Sequence, residues 1–519
     1  MRSKSAAIVL MIEGLVLSSV LWAAGGPEPV LRSPASPKHG GVLRVGAEPV
    51  RSLDPHFAVS DSEILVLQQV YEHLTCLDAQ NRPRPELAVS WDSPDCREWT
   101  FTIRGNSVFS NGKPVTAADV VFSFNRLRHP QEGSPAVNLF RNIEQVRALD
   151  ESRISFELSA PNPEFPSYVG DYRACIIPKD GGEPGNERVG SGPFMISAYV
   201  PRDGILLEPN PHYAVTDTDG YPLPYLDEIR LVFHPDRAAQ LQALRRGKLD
   251  FVGGLDPQLA AILETQAGFR QVTGESNRHW LLHLRSDSGH LASDNRIRRA
   301  LKLATDHNEL ISAVRPGLAS AGNGFSPVGP ACGDYYLEKA PASDPEGARA
   351  LLTQAGYPDG LQITLYVQDR PTAVAIASVW KQQMARIGVE VTLEVIAPDV
   401  YFGEGKHSWL AVDFGITEWE ARSTPATYFK LAYTGESRWN ESHWSDPELD
   451  SLIRRIDGEP DRAKRVALYY RAQQIFIERG PIIVAFFEKT AVGINEKLKG
   501  VVLPAAWARI RFREVYFDN

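Results

Sequence analysis

Two rhythms of apolar residues alternate along the chain, and together they predict an α/β protein. Residues 40–45 (GGVLRV) predict a first strand, before a loop at 48–56 that holds two prolines. Ile64, Leu67, Val70, Tyr71 and Leu74 recur at helical spacing, which predicts a helix over 60–74 capped by Ser60 or Asp61. Residues 99–104 and 154–158 alternate as half-buried strands do. Between them Asn111 and Gly112 mark a tight turn, and Val120, Val121, Phe124 and Leu127 form the apolar face of a helix over 115–127. Thr116 and Asp119 open that helix in a pattern close to a capping box. The Gly-rich turn at 189–194 lacks the Lys and the following helix of a phosphate loop, and reads as a crossover at a domain boundary.

The second half repeats strand–helix–strand units, the signature of parallel pairing. Strands are expected at 229–233, 249–252, 277–284, 363–367, 389–396 and 481–487. Helices are expected at 236–247, 294–314, 344–355, 374–387, 446–456 and 461–478. Two α/β domains with a β-richer insert near the start describe a hinged protein with a cleft. Residues 415–446 supply the candidate wall of that cleft. Trp419, Trp439 and Trp444 fall there with Tyr428, Phe429 and Tyr433, interleaved with Glu418, Glu420, Arg422, Arg438, Asn440 and His443. Rigid rings bury ligand surface, and scattered polar groups orient it. Asn440 and Glu441 are read as structural, capping the helix that follows.

Composition narrows the classes. A chain of 519 residues is too long for one core, and a net charge of −9 with no Lys/Arg block gives no footprint for nucleic acid. Arg2 and Lys4 precede an apolar stretch at 6–21 and then Trp22-Ala23-Ala24-Gly25, which reads as a secretory signal peptide over 1–24. A leader rich in Pro and Ser follows to residue 39. No cysteine lies near the cleavage site, so a lipoprotein is not expected. Cys76, Cys96, Cys175 and Cys332 leave both disulfides and free thiols open. The scattered histidines form no helical pair, and neither a metal nor another cofactor is expected.

Seven stretches in one order carry a family resemblance: GGVLRVG…SLDPH (40–56), PELAVSW (85–91), WTFTIRGNSVFSNGKPVTAADVVFSFNR (99–126), GSGPF (190–194), LEPNPHY (207–213), RIRRALKLATDHNEL (296–310) and WNESHWSDPELDSLI (439–453). The chain resembles the bacterial extracellular solute-binding proteins of family 5, the oligopeptide, dipeptide and nickel class of ABC importers. The resemblance implies a two-lobed periplasmic-binding-protein fold with an extra small domain inserted in lobe I. Lobe I is then expected from 40–60, 188–275 and 486–519, the inserted domain from 61–187, and lobe II from 276–485. It also implies closure of the lobes on a ligand, a monomer in the periplasm, and ABC permease subunits as partners.

One departure from the family changes the expected ligand. Peptide-binding members hold the peptide amine with an Asp a few residues after the Trp of the lobe II loop. Here Arg422 stands at that position after Trp419. A guanidinium repels ammonium and suits a carboxylate, phosphate or sugar acid, unless it pairs with Glu418 or Glu420 on its own loop. Glu418 remains a candidate for the amine. Glu48, Arg278, Trp280 and Trp439 complete the candidate ligand contacts. A peptide-like or other small polar solute, anionic if Arg422 reads it, is therefore expected. Two other readings use the same residues. A secreted hydrolase of peptides or glycosides would set Glu418 and Glu420 against Glu48. A sensory partner of a membrane receptor would read the same closed state.

Overall fold

A computed structural model describes residues 39–182, 188–338, 342–422 and 424–518. The expected signal peptide and nearly all of the leader lie outside them. One large mixed sheet runs through the molecule. Its strands follow in the order Val389–Ile396, Leu361–Gln368, Phe414–Trp419, Phe269–Leu284, Ile482–Asn495, Phe251–Gly253, Val42–Ala47, Glu228–Phe233, Gly204–Pro209 and Phe194–Val200. Ala319–Ser320 joins the side of Ile482–Asn495.

The two long central strands, Phe269–Leu284 and Ile482–Asn495, pair antiparallel from Phe269↔Asn495 to His283↔Ile482. Each therefore belongs to both halves of the sheet. Their register slips where the halves meet: Glu275 faces Lys489 and His279 faces Phe487. Ser276, Asn277 and Arg278 of one strand thus span the single residue Glu488 of the other. Extra residues bend a strand and interrupt its ladder, which makes this the soft point between the halves. The sequence pattern located only the apolar ends of both strands. Their other ends, FRQVTGES and KTAVGIN, mix polar and glycine residues; they pair with each other, and KTAVGIN pairs also with Phe251–Gly253.

Separate cores flank the junction. On one side Leu43, Val45, Ile229 and Leu231 of parallel strands pack with Trp507, Ile510 and Phe512 of the C-terminal tail. The helix Asp61–Val70, expected with the inserted piece, places Leu65, Val66 and Val70 in this core. Ser60 caps it, with its Oγ accepting from the Glu63 N–H and Glu63 answering to the Ser60 N–H. On the other side the helix Pro371–Ala385 lays Ile376, Trp380 and Met384 over the sheet. A four-stranded antiparallel sheet, ordered Ala88–Asp92, Glu98–Ile103, Arg153–Leu158 and Ile143–Ala148, forms its own core with the helix Ala117–Arg128. Phe124 meets Phe156 edge-on at 4.9 Å there. Burying each such ring contributes roughly 1.5–3 kcal/mol.

One expectation changes, and the open question of the cysteines closes. The single helix at 294–314 is two helices, Asn295–Ala304 and His307–Val314. The Asp306 carboxylate caps the second by accepting from the N–H groups of Asn308 and Glu309, and the Trp380 indole donates to Thr305 Oγ1 at the break. A new cap ends the run despite unbroken apolar spacing. All four cysteines are free thiols. At the Gly-rich crossover, a Cβ on Gly190 would stand 2.0 Å from the Val70 carbonyl oxygen, so only glycine passes there.

Candidate ligand-binding cleft

A cleft of about 520 Å³ opens where the halves of the sheet meet. Strand alternation selects its wall. Trp280 faces Glu418 in register, and His279 faces Trp419. Successive side chains point to opposite faces. Trp280 and Glu418 therefore line the cleft, while His279 and Trp419 turn into the core.

The cleft wall is a linked charge network. Glu418 is 9% exposed and pairs with Arg278 and, at 3.1 Å, with Arg370. Glu488 accepts from the Trp280 indole at 2.9 Å and forms ion pairs with Arg315 at 3.0 Å and Arg278 at 3.7 Å. Glu420 is more exposed and lies 3.5 Å from Arg278. Burial pushes the Glu418 carboxyl above the usual carboxylate range, and Arg278 opposes that shift. Across the cleft, Arg237 bonds Asp61 at 3.0 Å and the Gly253 carbonyl at 2.8 Å, with its guanidinium 4.7 Å over Trp507.

The expected site residues separate into groups. Glu418, Arg278 and Trp280 line the cleft. Trp419 does not: it is 5% exposed, and its indole donates to Glu441 at 3.0 Å inside the core. Trp439 packs on that core, edge-on to Trp419 at 6.0 Å. One residue of strand register removes the Trp419 ring from the wall, and Trp439, in a turn, follows it into the core. Glu48 stands behind the wall, half-exposed and 3.7 Å from Arg237. Glu441 is wholly buried between Thr417 and Trp419, while Asp446 caps the helix Pro447–Gly458.

Arg422 lies in a smaller annex beyond Ala421, Ala505 and Ala506, residues that border both spaces. The wholly buried Tyr428 fixes its loop. The Tyr428 hydroxyl accepts from the Arg422 N–H at 2.9 Å and stands 2.8 Å from the Asn277 carbonyl. Glu418 and Glu420 pair with other arginines, so Arg422 forms no ion pair among the described residues.

Sequence reading missed Arg237, Arg315, Arg370, Glu488 and Trp507. Arg370 carried a usable signal. It follows the parallel strand Leu361–Gln368 and precedes a helix, and ligand sites gather at such carboxyl ends. Among the described residues, no group of three or more His, Cys, Asp or Glu stands where it would hold a metal ion, and no helix is long and apolar enough to cross a membrane.

Residues 82–441 match the family described as bacterial extracellular solute-binding proteins, family 5. The chain belongs to that family. The glutathione-binding protein GsiB of Pectobacterium atrosepticum is 28% identical over 503 residues, covering 92% of this chain and 95% of the relative. The dipeptide-binding protein DppE of Bacillus subtilis is 25% identical over 489 residues, 87% of each chain. Among solved structures, the periplasmic murein tripeptide-binding protein MppA in its unliganded open form superposes with a TM-score of 0.83 at 22% identity, covering 93% of this chain and 99% of the other. As a family 5 protein the chain has the two-lobed periplasmic-binding-protein fold and works in ligand capture for ABC importers, not in catalysis.

Proposed function

We propose that this chain captures a small polar solute, peptide-like or otherwise, between its lobes in the periplasm. It works as a monomer and delivers the solute to the permease subunits of an ABC importer. The cleft carries this reading. Arg237, Asp61, Asp256 and Trp507 supply one wall, and Arg278, Arg315, Arg370, Glu418 and Glu420 the other. Its volume of about 520 Å³ falls within the range of roughly 300–1,000 Å³ typical of small-molecule sites. Balanced charges in a shared network suit a ligand that carries donors and acceptors at both ends. The slip between Glu275 and His279 supplies the pivot on which the lobes close.

The test is thermal unfolding of the mature protein against dipeptides, oligopeptides, sugar acids, phosphosugars and metal chelates. A ligand that binds only the folded state adds roughly 2.7 kcal/mol at a hundred times its Kd. One class is expected to stabilise the protein and to lose its effect in Glu418→Gln. If no class binds and uptake survives deletion of the chain, the proposal is wrong.

A further inference from the structure

The annex beside the cleft is a separate space of about 50 Å³. Three guanidinium side chains line it, those of Arg422, Arg509 and Arg511, together with the amides of Gln68 and Asn81. No Asp or Glu lines it among the described residues. Two of the three cations are balanced from behind. Arg509 faces Asp171 at 3.5 Å, and Arg511 donates to Glu86 at 3.0 Å. Among the described residues Arg422 has no such counter-charge, and its buried Nε has no hydrogen-bond acceptor. A buried donor without an acceptor is costly, and so is a cation held beside two others. Tyr428 pins the loop, so Arg422 does not relieve this by moving its backbone. What the annex lacks is one negative charge with acceptor oxygens.

We propose that the annex is an oxyanion subsite: a solute seated in the cleft extends a carboxylate or phosphate past Ala421 to Arg422, flanked by Arg509 and Arg511. This rests on the reading of the cleft as the solute site, and it names the solute class as acidic. It also sets the ligand's direction. The anionic end enters the annex, and the donor-bearing end meets Glu420 and Glu418 in the cleft. A free ammonium end is excluded from the annex by like charge. The fork of Arg422 offers paired N–H donors to one oxyanion, which a lysine cannot reproduce.

The test does not need the natural solute. The mature protein is titrated with inorganic phosphate and with sodium acetate, chloride holding ionic strength constant, and stabilisation is read by thermal unfolding. Crystals are soaked in selenate, whose anomalous signal locates the anion. The expected result is stabilisation by phosphate or acetate and a selenate peak in the annex. Arg422→Gln should weaken the anion about tenfold to a hundredfold. Arg422→Lys should restore part of the loss, and Arg202→Gln, on an exposed turn, should cause no loss. Preference for acetate over phosphate would identify a carboxylate solute, and the reverse a phosphorylated one. No anion-specific stabilisation, a selenate peak elsewhere only, or full binding in Arg422→Gln would overturn the proposal. The solute screen stays informative in each case, because a ligand without any acidic group bound in the cleft would support the receptor while refuting the annex.

Discussion

Glu164, just after the small antiparallel sheet, ties that sheet's segment to Tyr335 and Arg465, and its removal is a sharp test of how these pieces are held. Its carboxylate is 9% exposed, lies 3.2 Å from Arg465 Nε and accepts from the Tyr335 hydroxyl at 2.6 Å. Burial keeps Tyr335 protonated, so it remains a donor. Glu164→Gln keeps the shape and removes the charge. Breaking a buried ion pair from one side costs roughly 3–5 kcal/mol. Arg465 also donates to the carbonyls of Glu459 and Pro460, at 2.9 and 2.8 Å, and so keeps part of its solvation. The loss should therefore sit near the lower end, at about 3 kcal/mol. Urea unfolding near neutral pH, followed by tryptophan fluorescence, measures it. Arg465→Met and the double variant complete a cycle, whose coupling should reach about 2 kcal/mol. A loss below about 1 kcal/mol, or additivity within about 0.5 kcal/mol, would refute the claim that the pair acts as a buried tie.

Three further outcomes are expected. Burial lowers His279 to about 4, His56 to about 4 and His73 to about 3, so each is neutral when folded. Their contribution is fully present above the unfolded value near 6.5 and is lost as pH falls towards 4 and below, by up to about 1.4 kcal/mol per pH unit for each; the pH dependence of unfolding should flatten in His279→Gln, and an unchanged slope refutes this. Tyr428→Phe releases the Arg422 loop, should cost about 1–3 kcal/mol in denaturant unfolding, and should weaken phosphate in the annex titration. Trp280→Phe removes the indole bond to Glu488, and a loss of about 1–2 kcal/mol with weaker solute binding is expected by the same unfolding and thermal-shift assays.

Periodicity was enough to find most elements, and the strand Val389–Ile396 matches the expected residues at both ends. Local rules suffice there because helices and strands bury one face, and that face repeats along the chain. The same rules also show why the long central strands were cut short. Half of each pairs through polar and glycine residues, which leave no apolar rhythm. The site was legible as a neighbourhood and less so as a set of contacts. Glu418, Arg278 and Trp280 line the cleft, while Trp419 sits one register step away and points into the core.

By itself the sequence determined the α/β alternation, the order of family stretches and the presence of an arginine at 422. Tertiary structure decided which charges that arginine meets. Its annex draws Gln68 from one helix, Asn81 from a turn, Arg422 from the second-lobe loop, and Arg509 and Arg511 from the C-terminal tail. Electrostatics in a cleft depends on distance through space, and these residues approach one another only when the sheet has assembled. Local spacing carries no record of that meeting, whereas the face a side chain takes on its own strand is written every second residue.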